Sequence, residues 1–265
     1  MPGWAEEQTP TPFLYICGNL KLWINCRLWG VWEVCFCIMA IKTFIKDNRN
    51  NLEVPLDYND NEELLRCLFD SIFDVDKGYI FYRKKNEGPD YPQTERVFAY
   101  EFYRKWATNV EERNTEYIVN GEPAKEVSSF RNTQYQYPDL VLHHNQGDAI
   151  HQGIVCEIKR KKGLTTLNFE DDIKKLYHFA CIKRCKYKFQ FGVFILVGTK
   201  MDAIVDIILK TNNELLSFNK NNRKTNNIIC VTYDGNVLEF CQLHELVSKS
   251  PEEMKAIIEE YRNNR

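Results

Sequence analysis

The spacing of apolar residues predicts a succession of helices and strands. From Asn59 the text Asn-Asp-Asn-Glu-Glu-Leu-Leu supplies a cap, and Leu64, Leu65, Leu68, Phe69, Ile72 and Phe73 then recur at helical steps, predicting an amphipathic helix that ends near Phe73. Gly88, Pro89 and Pro92 mark a loop, and residues 94–107 read as a second helix with Val97, Phe98 and Phe102 on one stripe. Asn120-Gly121 is a strong turn dipeptide, so residues 116–119 and 124–130 are expected to form a hairpin around it. Residues 137–143 and 153–160 are rich in Val, Ile and Leu and flank a polar segment, which predicts two antiparallel strands.

Further along, residues 169–185 place Ile173, Leu176, Tyr177, Ala180 and Cys181 at steps of three and four, a helix with one buried face. Residues 189–197 are almost wholly apolar, as expected of a central strand covered on both sides. A helix over 202–209, a strand pair around Asp234-Gly235 and a closing helix over 251–262 with Pro251 at its first position complete the pattern. The Asn- and Lys-rich residues 219–227 read as a surface loop.

Composition fits a globular chain: 44% of the 265 residues are hydrophobic, enough to fill a sizeable core. The net charge of -2 conceals a basic stretch, since residues 159–188 hold ten Lys or Arg against three acids, a surface able to attract polyanions. The ten cysteines fall largely in apolar segments without framework spacing, which reads as reduced, buried thiols.

Residues 1–38 differ from the rest. They carry four of the five Trp and four of the ten Cys without a helical or strand period. Lys21, Arg27 and Glu33 interrupt the apolar text, so neither a signal peptide nor a membrane span of about 20 residues fits. Met39 opens ordinary polar sequence, and the native start is expected there, with 1–38 an upstream extension.

The chemistry concentrates in the paired strands. Residues two apart on a strand share a face, so Glu157 and Lys159 project together while Ile154, Cys156 and Ile158 point to the opposite, apolar side. Asp139 lies at the start of the preceding strand, with 17 residues between it and Glu157. Two converging carboxylates repel, and a hard divalent cation such as Mg2+ resolves the repulsion. Lys159 would then meet a phosphate or an attacking water.

Pro138-Asp139 followed by Glu157-Ile158-Lys159 resembles the PD-(D/E)xK signature of restriction endonuclease-like nucleases. The resemblance implies an α/β fold with a restriction endonuclease-like core, a central mixed β-sheet flanked by helices. That core is expected over residues 94–200, preceded by a helical and loop segment at 39–93 and extended by an α/β portion at 201–265. By the same resemblance Asp139 and Glu157 hold Mg2+, with Mn2+ as a substitute, and Lys159 positions or activates water. Ile158 lends its carbonyl to the metal, and Glu101 occupies the place of an additional helix acid. Glu101 also reads, with equal weight, as an ordinary glutamate at a stripe edge.

Arg160, Lys161 and Lys162 extend the positive charge beyond the site and are expected, with Lys175, to grip nucleic-acid phosphates. Asp172 and Lys175 share a helix edge that can face the site, although an i, i+3 ion pair is the plainer reading. Ile173 stands where exonuclease-like branches carry a Gln four residues before a Tyr.

Two decoys calibrate the motif. Pro89-Asp90 has no strand behind it, and Glu253-Met254-Lys255 lies in the closing helix, where residues two apart diverge by about 200°. His178, Cys181 and Cys185 have zinc-like helical spacing, but Cys181 belongs to the buried stripe. His143 shares the strand face of Asp139, from which it could contact phosphate, although a structural or solvated role is the plainer reading.

The expected function is metal-dependent phosphodiester hydrolysis in the cytoplasm, with DNA favoured over RNA, no membrane association, and room for a homodimer. Defence or restriction and repair are the settings that the resemblance suggests. The alternatives are a catalytically silent nucleic-acid-binding module with the same fold, or a protein-interaction subunit that docks through the aromatic residues of 100–106.

Overall fold

The computed structural model describes residues 15–17, 20–22, 41–45, 62–82, 91–92, 94–121, 138–144, 152–181, 189–211 and 227–263. The chain divides into two compact units, Met1–Ile38 and Met39–Arg265. Among the described residues of the first, β1 (Tyr15–Cys17) pairs antiparallel with β2 (Leu20–Leu22).

The second unit is α/β. Its strands are β3 (Lys42–Ile45), β4 (Phe81–Tyr82), β5 (Tyr91–Pro92), β6 (Tyr117–Gly121), β7 (Leu140–His144), β8 (Gln152–Arg160), β9 (Phe189–Val197), β10 (Ile228–Tyr233) and β11 (Val237–Gln242). Its helices are α1 (Glu62–Phe73), α2 (Glu95–Glu112), α3 (Thr166–Cys181), α4 (Asp202–Lys210), α5 (Leu243–Val247) and α6 (Pro251–Asn263). Seven strands form a mixed sheet in the order β3-β11-β10-β9-β8-β7-β6, while β4 and β5 pair separately. β8, β9 and β10 run parallel to one another, and the remaining neighbours are antiparallel.

Helices cover both faces because the central strands are apolar on both. On one side Ile154, Cys156 and Ile158 of β8 pack with Phe69 and Phe73 of α1 and Phe98, Phe102 and Trp106 of α2. On the other, Val155 packs with Phe169, Ile173 and Leu176 of α3 and with Ile204 and Ile208 of α4. Each fully buried Ile, Leu or Phe contributes about 1.5–3 kcal/mol over an exposed position, so the alternation of β8 fixes its register. α3 lies close against the sheet at Gly192 of β9, where a Cβ would come within 3.1 Å of Leu176 Cβ. That approach brings the α3 side chains Asp172 and Lys175 over the neighbouring strand β8.

Several expectations shift at their ends. α2 continues to Glu112, because Asn109 donates to Ser71 Oγ and Asp74 of the α1 segment and Arg113 pairs with Glu63 and with Asp70, at 2.5 Å for the latter. α3 begins at Thr166, where the Thr165 hydroxyl caps Asn168 N–H at 3.1 Å. The turn expected at Asn120-Gly121 does not form. Both residues lie in β6 and pair with Val141 and Leu140 of β7, so long-range pairing overrides the local turn preference; residues 124–130 lie outside the described residues. Pro89-Asp90, Cys185 and residues 219–226 lie outside them as well. The Asp234-Gly235 turn is formed as expected, with Gly235 at φ 99° and Asp234 Oδ1 accepting from Asn236 and Val237 N–H.

Cys67, Cys156, Cys230 and Cys241 are free thiols and buried, Cys181 is buried as well, and burial pushes the Cys67 thiol up to about 11. No helix among the described residues is long and apolar enough to cross a membrane.

Candidate active site

Asp139 sits at the entry to β7, beside the carboxyl end of β8. Its Oδ2 accepts the Ile158 N–H at 2.7 Å, which ties the first carboxylate of the motif to the strand that carries the second. Glu157 and Lys159 emerge from β8 on the α3 side, where they meet Lys175 and Asp172. The alternate side chains Ile154, Cys156 and Ile158 face the α1–α2 core.

Four carboxylates and two ammonium groups meet here, in layers of increasing depth. Glu95, from the first turn of α2, and Asp139 form the rim, with side chains 39% and 30% exposed. Lys159 lies below them, its Nζ 3.7 Å from Glu95, 3.9 Å from Asp139 and 3.4 Å from Asp172. At the floor Lys175 Nζ is 2.8 Å from Glu157 Oε1 and 3.4 Å from Asp172 Oδ1. Glu157 is fully buried, and its Oε2 has no hydrogen-bond partner.

The electrostatics follow from this layering. Burial, and then the charge of Asp139, hold the Glu157 carboxyl well above the ordinary carboxylate range, against the pull of Lys175. Burial also raises Asp139 and Glu95, opposed in each case by Lys159. For Lys159 burial acts downward, but Asp139, Asp172, Glu95 and Glu157 together outweigh it and raise the ammonium. With every group ionised, the four acids exceed the two lysines by two charges.

Asp139, Glu157 and Lys159 are therefore brought together. Glu101 is not part of the group: it is buried on α2 and accepts two hydrogen bonds from Arg104, at 2.9 and 2.5 Å. The α2 acid that reaches Lys159 is Glu95, which no motif in the sequence singles out. An acid in the first turn of a helix is common for its dipole alone, so the sequence carries little signal for it. Asp172 joins the site through the i, i+3 edge it shares with Lys175.

Two of the expected phosphate-binding residues are corrected. Arg160 points to the other face of β8, is buried, donates to the Ile80 carbonyl at 2.8 Å and lies over the Phe81 ring. Lys175 is buried against Glu157 and Asp172. Lys161 and Lys162 are exposed in the turn that follows β8. His143 is structural, with Nε2 2.6 Å from Asn120 Nδ2 and Nδ1 2.7 Å from the His144 carbonyl.

Among the described residues, no three His, Cys, Asp or Glu side chains converge closely enough to hold a metal ion by themselves. Mg2+ needs only one or two carboxylates and keeps several waters, and the pair Asp139 and Glu157, with an unpartnered Oε2, fits that donor set. The Ile158 carbonyl, the third expected donor, accepts from Lys159 Nζ at 3.2 Å. Comparison with protein-family models, curated proteins and solved structures returned no match.

Proposed function

We propose that this chain is a metal-dependent nuclease with a restriction endonuclease-like core, hydrolysing phosphodiester bonds in DNA in preference to RNA. The observation that carries the reading is the buried Glu157, with one carboxylate oxygen unpartnered, beside Asp139 and Lys159 at the end of β8.

In this reading Asp139 and Glu157 hold Mg2+ or Mn2+, and Asp172 adds negative charge from α3. The bound cation supplies Lewis-acid polarisation of the phosphate and acidifies a water. Lys159 acts as a fixed positive charge. Its raised ammonium does not release a proton near neutral pH, so it offsets charge developing on the phosphate instead of serving as a base. Asp139 orients the end of β8 through the Ile158 N–H, and Glu95 and Asp172 hold the Lys159 ammonium between them. Lys161 and Lys162 meet the backbone phosphates without reading sequence. The free, buried cysteines suit a reducing cytoplasm, and a homodimer would allow paired cuts.

The test is cleavage of supercoiled plasmid, single-stranded DNA and RNA with Mg2+ or Mn2+, beside Lys159→Ala and Asp139→Ala. Metal-dependent cleavage lost in both variants supports the reading; no cleavage of any substrate sinks it. A second reading, a catalytically silent binding module, is favoured by the ion pair that Lys175 makes with Glu157. Tyr100 and Tyr103, exposed on α2, would then supply a docking surface.

A further inference from the structure

We infer that Lys175 is the resident counter-ion of the site, its ammonium standing between Glu157 and Asp172 where a divalent cation would otherwise balance them. The inference rests on the metal-site reading above and adds a competitor to it.

Lys175 Nζ touches both acids, at 2.8 and 3.4 Å, from a side chain that is only 10% exposed. Glu157 has no other cation within ion-pair distance among the described residues, whereas Asp172 also meets Lys159 at 3.4 Å. A buried carboxylate without a cation is costly, so the ammonium keeps the metal-free site folded. The same ammonium repels an incoming dication. Entry of the metal then requires the flexible lysine stem to swing away. Asp171, exposed one helical turn back on α3, is placed to receive it as an i, i+4 partner.

The experiment is calorimetric titration with Mn2+ of the full chain, as wild type, Lys175→Met, Asp139→Asn, Asp172→Asn and the double variant Asp172→Asn/Lys175→Met, with thermal melts alongside. Lys175→Met is expected to bind Mn2+ at least about tenfold more tightly, because a like charge has been removed from a partly dry site. Its melting point should be lower than wild type without metal and should rise further on adding Mn2+. The double variant loses one charge of each sign and keeps the net charge of the wild-type site; it should bind about tenfold more tightly than Asp172→Asn alone. Equal or weaker binding by both Lys175 variants, with Asp139→Asn still weakening the wild-type site, overturns the role of Lys175 and leaves the metal site standing. Absence of Mn2+ binding in every protein overturns the metal site itself.

Discussion

Glu157 on β8 and Glu239 on β11 are buried to the same degree, 0% and 1% exposed, on strands of one sheet. Their surroundings differ in kind. Glu239 accepts from Met201 N–H at 2.8 Å, from the Thr232 hydroxyl at 3.2 Å and from the Tyr261 hydroxyl, so neutral donors from α4's entry, β10 and α6 converge on it. Glu157 faces the Lys175 ammonium, which it shares with Asp172, and its own Oε2 has no hydrogen-bond partner. A buried carboxylate surrounded by neutral donors closes a fold, while one that leaves lone pairs open beside other acids is suited to receive a cation.

The largest expected effect separates the two. Glu157→Gln should lower metal-dependent cleavage by about 10²-fold or more, the scale of removing one preorganised electrostatic group. Glu239→Gln should leave cleavage by the folded protein close to wild type. Comparable losses of rate per folded molecule in both variants would erase the distinction.

Stability should respond in the reverse sense. Glu239→Ala strands three donors that now share one carboxylate and should cost about 2–3 kcal/mol in urea unfolding. Tyr261→Phe removes only one of them and should cost about 1 kcal/mol. An unchanged urea midpoint in Glu239→Ala would show that α6 is held by its apolar packing alone.

A smaller effect concerns pH. Burial raises Glu157 above its ordinary value of 4.5, so as pH rises the folded chain releases this proton later than the unfolded chain does. Stability from this group is fully present below the unfolded value and falls as pH rises toward the elevated folded one. Other carboxylates titrate too, so the informative quantity is the difference between wild type and Glu157→Gln. Metal-free melts from about pH 4 to 8 should decline more steeply in wild type, and saturating Mn2+ should remove the excess. Parallel curves would count against a strained Glu157.

The same contrasts mark how far a sequence can specify such a site. The two-residue period of β8 puts Glu157 and Lys159 on one face because one side of that strand must be apolar, and the turn at Asp234-Gly235 is legible because its geometry is local. That period also places Arg160 opposite Lys159, a signal easily masked by the run of basic residues in which it stands. Glu95 enters the site through the docking of α2, which no local pattern specifies, whereas the helix edge of Asp172 and Lys175 is legible but the pairing of Lys175 with Glu157 depends on the docking of α3. Asn120-Gly121 misleads for a related reason: β6 finds its partner in β7, beyond the residues that the dipeptide alone can address.

The smallest expected effect lies just past β8, where the basic run divides into exposed and buried parts. Lys161 and Lys162 are exposed, and each phosphate left without its lysine should reduce the salt slope of DNA binding by about 0.9, so Lys161→Ala/Lys162→Ala should reduce it by about 2 with little change in melting point. Arg160→Lys should do the opposite. It removes the guanidinium that meets the Ile80 carbonyl and lies over Phe81, lowering the melting point while the salt slope stays near wild type. Binding isotherms at several salt concentrations distinguish the two. A salt slope reduced by Arg160→Lys at unchanged stability would mean that the arginine leaves its buried partners to reach phosphate, and the division between a gripping surface and a supporting core would have to be redrawn at residue 160.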